Sequence, residues 1–125
     1  MLFRSVVTWG AMVYTANDAA EILEGDGISV EVMDLRTLIP WDREAVLESA
    51  RRTAKVLVLH EDTHTGGFGA EIAATIAEEA FEDLDGPVRR ITAPDSPVPF
   101  SPPLEKAFIP QVDDVVRALR ALASY

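Results

Sequence analysis

The stretch Lys55-Val56-Leu57-Val58-Leu59-His60-Glu61-Asp62-Thr63-His64-Thr65-Gly66-Gly67-Phe68-Gly69-Ala70-Glu71-Ile72-Ala73 decides how this chain is read. From His60 to His64 it spells H-E-x-x-H. That pattern binds zinc when it lies on a helix, where two histidines four apart share a face and the glutamate activates a water. The flanking residues argue for a different local structure. Lys55–Leu59 is a short apolar run rich in β-branched residues and reads as a buried strand. Thr65-Gly66-Gly67 follows at once, and paired glycines are poor helix interior. His60 and His64 are therefore expected in the turn between a strand and a helix. Glu78, Glu79 or Glu82 could supply a third ligand, but nothing in the pattern requires one, and no zinc site is expected. The stretch reads as strand, polar turn, double glycine and alanine-rich helix.

Outward from this segment the same alternation repeats. Val6-Val7-Thr8-Trp9 reads as a first strand ending at Gly10, and a helix from Ala11 to Glu24 carries Met12, Ala16, Ala19, Ala20 and Leu23 at helical spacing. Gly25-Asp26-Gly27 turns the chain. Ile28–Met33 alternates apolar and polar residues and should be less buried than Lys55–Leu59. Asp42 is placed to cap a helix whose inward face is Val46, Leu47 and Ala50, with Pro40 outside it. The helix after the double glycine should run from Phe68 to Leu84, until Gly86-Pro87 breaks the pattern and Val88–Thr92 forms a fourth strand. Residues 94 to 103 hold five of the eight prolines. Such a segment is stiff and cannot feed a central ladder. A last helix, Asp113–Ala123, presents Val112, Val115, Val116, Leu119 and Leu122 as one stripe. The expected fold is a three-layer α/β/α sandwich with a mostly parallel sheet.

The chain has 125 residues, 48% of them hydrophobic, enough for one domain with a real core. No apolar run reaches the roughly 18 residues of a membrane span, and no charged-then-apolar start suggests a signal peptide. With no cysteine, disulfide and thiolate chemistry are excluded, which is compatible with a reducing cytoplasm. A formal net charge of −10 argues against a nucleic-acid surface, which needs a basic stripe. A solvated acidic face accounts for it, and it favours cationic partners. Met1-Leu2-Phe3-Arg4-Ser5 has two readings. Leu-Phe-Arg-Ser is what one frame of a common sequencing adapter encodes, so residues 1–5 are a non-native start, or else a genuine strand begins at Phe3. Neither reading gives them a functional role, and residues 6–125 are taken as the domain.

Several sites are weighed and set aside. Gly10-Ala11-Met12-Val13-Tyr14-Thr15 lacks the second and third glycines of a dinucleotide fingerprint, although Asp34 ends the next strand where a ribose-binding acid would sit. Gly66-Gly67-Phe68-Gly69 opens a helix able to face an anion but lacks the Lys-Ser/Thr end of a P-loop. No Ser-His-Asp or Cys-His set can be assembled. The proline segment contains P-x-x-P spacings but reads as a rigid wrap. Ile76, Gly69, Ala80, Ala73, Leu84, Ala77, Ala70, Phe81 and Ala74 occupy an arc of about 160° on the helix after the double glycine. A sheet on one side and another subunit on the other would explain so wide and smooth a face.

Four stretches in order carry a family resemblance. They are Thr8-Trp9-Gly10-Ala11-Met12-Val13, then Asp34-Leu35-Arg36-Thr37-Leu38-Ile39-Pro40-Trp41-Asp42, then His60-Glu61 with Gly66–Ile72, then Ala93-Pro94-Asp95-Ser96-Pro97-Val98-Pro99-Phe100. Together they resemble the carboxy-terminal, transketolase-type domain of the β subunit of 2-oxoacid dehydrogenase E1 components, over about Val6 to Leu122. His64 departs from the family pattern, and its role stays open.

The resemblance implies a transketolase C-terminal-like fold within a longer, cytoplasmic E1 β subunit. The whole enzyme of that family decarboxylates a 2-oxoacid on thiamine diphosphate with Mg2+ and passes the acyl group to a lipoyl group on E2. The cofactor lies between the α subunit and the β amino-terminal domain, so this domain is expected to hold none of it and no catalytic residue. Implied partners are the E1 α subunit, a second β subunit in a heterotetramer, and the peripheral subunit-binding domain of lipoyl-bearing E2, with no nucleic acid and no membrane. Gly66, Gly67, Phe68, Ala70, Ala73, Ala74 and Ala77 are the candidate β–β interface, and His60, Glu61 and His64 a candidate interface or ligand turn. A polar turn that hydrogen-bonds the following helix start is the plainer reading of His60 and Glu61. Alternatives are the carboxy-terminal domain of a transketolase or deoxyxylulose-phosphate synthase, or a stand-alone binding module. Pyruvate, branched-chain oxoacids and acetoin-type substrates are not distinguished.

Overall fold

The computed structural model describes Leu2–Tyr125. Four strands, β1 (Leu2–Thr8), β2 (Ile28–Asp34), β3 (Val56–Thr63) and β4 (Arg89–Ala93), form one sheet in the order β2-β1-β3-β4. All three pairings are parallel, with Val6 opposite Val32 on one side and Leu57 on the other. Helices α1 (Met12–Gly25), α2 (Arg43–Thr53), α3 (Phe68–Glu79) and α5 (Val112–Ala123) cover it, and a short α4 (Pro102–Phe108) lies between β4 and α5.

Strand alternation divides the core in two. Val6, Leu57 and Leu59 point to one face and meet Met12, Ala16, Ala19 and Leu23 of α1 with Val115, Leu119 and Leu122 of α5. Val7, Val56 and Val58 point to the other and meet Val46, Leu47 and Ala50 of α2 with Ile72 and Ile76 of α3. Because β3 is covered on both faces, its Val56–Leu59 reads as a continuous run, whereas edge strand β2 is half-buried, as its alternating sequence predicts. Asp42 caps α2, its carboxylate accepting from Ala45 N at 3.1 Å.

Polar groups at the start of the central strands pair with helices. Ser5 Oγ lies 2.6 Å from Ser49 Oγ and 2.7 Å from Thr53 Oγ1, and Ser49 donates to Glu31 at 2.7 Å. Lys55 Nζ donates to Tyr125 O at 2.8 Å, fixing the end of the chain beneath the sheet.

Four element boundaries differ from expectation. β1 begins at Leu2 rather than Val6, in keeping with the second of the two readings of residues 1–5, a genuine strand from Phe3, and it pairs with β2 along its length. β3 continues past Leu59 to Thr63, so His60 and Glu61 belong to the strand and not to a polar turn. α3 ends at Glu79, and Phe81–Asp83 is a 3-10 turn rather than a continuation to Leu84. Pro102 and Pro103 open α4 instead of extending the stiff segment, because the first helical turn tolerates residues without an N–H.

Candidate assembly interface

The extension of β3 determines what the H-E-x-x-H residues can do. His60 faces α3 from within the sheet and is 1% exposed. Helix α3 starts directly over its ring, and that close approach requires glycine. A Cβ on Gly69 would collide with His60 Nε2 and Cδ2 and come within 3.1 Å of Val58 Cγ1. A Cβ on Gly67 would meet His60 Cε1 at 2.9 Å and collide with the Thr63 carbonyl. Gly66 has a positive φ of 73°, which turns the chain off the strand. The two glycine types thus do different work: one bends the backbone, the other two leave room for an imidazole.

The ring is held on its other side by aromatics. Trp9 stacks on His60 at 5.2 Å between centroids and 16° between planes. Phe68, the first residue of α3, meets Trp9 edge-on at 6.1 Å and Trp41 edge-on at 6.4 Å. Nδ1 of His60 accepts from Asp62 N at 3.1 Å, which places the ring proton on Nε2. Nε2 has no partner among the described residues. Burial lowers the pKa of His60, and the neighbouring Arg90 and His64 press in the same direction against the attraction of Asp62. His60 is a neutral packing ring under α3, and neither a ligand-binding nor an interface role is needed to explain it.

His64 points elsewhere. It lies exposed beyond β3, with Nε2 3.0 Å from Arg90 Nη2 and Nδ1 3.2 Å from Thr92 Oγ1. Thr65 N donates to Asp95 Oδ1 at 2.9 Å, and hydrogen bonds from the Thr65 side chain and backbone hold the Asp95 pKa low. Glu61 is exposed. The three turn candidates therefore do not converge, and among the described residues no group of three His, Asp or Glu side chains is placed to hold a metal.

The alanine residues do converge. Gly69, Ile72 and Ile76 form the buried stripe of α3, Ala70 and Ala73 are half-buried, and Ala74 and Ala77 face outward. Outside the helix lies an open groove between α3 and the β4 edge, lined by Ala70, Ala73, Ala74, Ala77, Phe81 and Val88. Phe81 is 72% exposed at its end. Of the proposed interface set, Gly67 is buried inside the domain, and Phe68 packs inward on Trp9 and Trp41. Trp9, Trp41, Arg90 and Asp95 are site residues that sequence reasoning does not single out. The available signal for Trp9, Trp41 and Asp95 is position, since each follows a strand and belongs to one of the family stretches, whereas Arg90 lies inside β4 and carries no such signal.

Comparison with known proteins agrees with this architecture. The transketolase C-terminal domain family matches residues 5–115. The β subunit of 2-oxoisovalerate dehydrogenase from Bacillus subtilis (strain 168) is 47% identical over 97% of this chain and 37% of its own length. The β subunit of the pyruvate dehydrogenase E1 component from Rickettsia felis is 37% identical over the same shares, 97% and 37%. The chain thus spans little more than a third of these curated relatives. A solved structure described as a split-gene transketolase, inactive β4 tetramer, superposes with a TM-score of 0.82 at 32% identity, covering 98% of this chain and 39% of that one. The chain belongs to the transketolase C-terminal domain family, in the form found at the carboxy-terminal end of 2-oxoacid dehydrogenase E1 β subunits.

Proposed function

We propose that this chain is the assembly domain of a thiamine-diphosphate-dependent 2-oxoacid dehydrogenase E1 β subunit, joining β to a second β subunit. One observation carries the reading. Ala70, Ala73, Ala74 and Ala77 recur at helical spacing on the side of α3 away from the buried stripe, beside an exposed Phe81. A helix that covers only its own sheet has no use for that second smooth face. The relatives are β subunits of dehydrogenases, and the solved neighbour is a tetramer of β chains.

In this reading the E1 α subunit and the β amino-terminal domain hold thiamine diphosphate and Mg2+, which supply decarboxylation, and lipoyl-E2 accepts the acyl group in the cytoplasm. This domain contributes no catalytic residue. Its work is to set the distance between subunits. The split-gene neighbour favours a transketolase as the second reading, with the same role for α3 and a different acceptor.

Sedimentation of the assembled enzyme carrying Ala74→Arg or Ala77→Arg tests the interface. A cation forced against a close-packed partner should cost association about 2–5 kcal/mol, whereas Glu78→Arg should cost almost nothing. If folded Ala74 and Ala77 variants remain assembled, α3 is not the contact. The chain by itself should neither turn over a 2-oxoacid nor bind thiamine diphosphate. Micromolar binding in calorimetry with Mg2+ would overturn the assignment of chemistry to the partner subunit and the amino-terminal domain.

A further inference from the structure

The sheet ends on one side at β2 and on the other at β4, and the two open edges are flanked differently. Along β2 the neighbouring helices present charge. Glu21 and Glu24 of α1 line a groove with Ile28 and Val30, and Arg52 of α2 pairs with Glu31 and Glu48. Along β4 they present small side chains. Ala70, Ala73, Ala74 and Ala77 of α3 line the groove on one face, and Ala118 and Ala121 of α5 line a second groove beside Ile91 on the other. An edge strand left open between two smooth grooves is shaped to continue its sheet.

The spacing of the layers fits a second copy of the chain. Helices α3 and α5 each pack on both β3 and β4. Strands lie about 4.8 Å apart, so a helix midway between β3 and β4 stands about 5 Å from a two-fold axis set just outside β4. Two helices related by that axis are about 10 Å apart, a helix-packing distance, and alanine contacts let them close further.

The residues of β4 also select a register. Ile91, at the middle of Arg89–Ala93, packs on the α5 face, whereas Val88, and with it Arg90 and Thr92, alternates to the α3 face. An antiparallel pair centred on Ile91 uses the whole strand. It sets Ile91 against the partner's Ile91, Arg90 against the partner's Thr92 and Arg89 against the partner's Ala93, with no like charges opposed. Centring on Arg90 would oppose two guanidiniums. Centring on Thr92 would set Arg90 against the partner's Pro94, which has no N–H.

We propose that two copies of this domain join β4 to β4 in antiparallel register about Ile91, so that the four strands of each form one continuous sheet. Helix α3 then meets α3 on one face and α5 meets α5 on the other. This contact, which rests on the reading of the chain as a β–β assembly domain, is closed by its two-fold axis and gives a dimer rather than a filament.

The chain has no cysteine, so single thiols report the contact. Oxidation is followed at about 0.1 mM, where a micromolar contact is populated. Ile91→Cys should form the disulfide-linked dimer at least about fivefold faster than Arg89→Cys, whose two copies stand about 13 Å apart along the strands. In an equimolar mixture, Arg90→Cys and Thr92→Cys should give the mixed dimer at least about threefold over the two self-linked dimers together, against about equal amounts for random collision. The mixture keeps Ile91 and so reads the register even where Ile91→Cys fails to fold by circular dichroism. A chain that sediments as a monomer, or folded thiol variants that link at the random rate, would overturn the shared sheet. If Ala77→Arg nevertheless dissociates the assembled enzyme, the β–β reading stands without it, and if that variant stays assembled both fall. Growth beyond a dimer would overturn the two-fold axis and point to β4 pairing with β2 of the next chain.

Discussion

Helices α3 and α5 have the same length and pack on opposite faces of the sheet, yet they are built on different plans. α5 buries Val115, Val116, Leu119 and Leu122 and turns a charged face to water, where Arg117 pairs with Asp114 and Arg120 with Asp26. α3 buries a glycine and two isoleucines, and its outer surface carries alanines and glutamates with no basic residue in its last turn. The strongly amphipathic helix stabilises the domain by area removed from water. The smooth helix contributes less of that and gains close approach to His60 beneath it, and under the proposed function its outer alanines would allow the same to a partner subunit. Large side chains secure a fold, while small ones let two backbones come together.

Four tests, one of them a comparison of two glycines, sharpen or break that contrast. Leu119→Ala should cost about 2–5 kcal/mol in urea unfolding, because it empties a fully buried site on α5. A smaller loss would mean that α5 is not the main clamp on its face. Gly69→Ala should cost about 1–3 kcal/mol by driving a methyl into the His60 ring. Gly25→Ala, where an added Cβ meets nothing within 4 Å, should be neutral or stabilising by up to about 1 kcal/mol. Equal effects at the two glycines would remove the argument for close approach.

The third change is in pH. His60 is held neutral by burial, so its folded pKa lies below the unfolded value of about 6.5. The unfolded chain then binds the extra proton first. Its contribution to stability is complete above about pH 6.5 and is lost as pH falls through the lowered folded pKa. His60→Phe should flatten that part of the stability profile, and an unchanged profile would show that the ring is not proton-excluding. The smallest expected effect is Ala74→Arg, within about 0.5 kcal/mol on the folding of the chain by thermal unfolding, since Ala74 is exposed. A larger loss would make Ala74 part of the core and weaken the case for a second contact face.

Much of the fold was legible because its signals are local. Val56–Leu59, the Met12–Leu23 spacing, the Asp42 cap and the Val112–Leu122 stripe each declare their structure within about a dozen residues. The candidate site was legible in part. Alanines at helical spacing marked a face of α3, but not which alanines its own sheet would cover, and the expected set included Gly67 and Phe68, which the domain buries or packs inward. His60 and Glu61 were expected in a turn, since polar residues after an apolar run end a strand on local evidence, and only β4 alongside shows that the strand continues. The Trp9–His60–Phe68–Trp41 cluster joins residues from three separate stretches, and no periodicity links them.

By itself the sequence determined the alternation of strands and helices, the parallel class of sheet, the family, and the wide small-residue face of α3. Strand order was left to the tertiary structure, and with it which strands are covered twice, which edge is open beside the alanine face, and which ring each glycine must clear. The physical reason is range. Hydrogen-bonding period and side-chain propensity act over a few residues, whereas burial, close approach and the protonation state of a histidine depend on atoms brought together from distant parts of the chain.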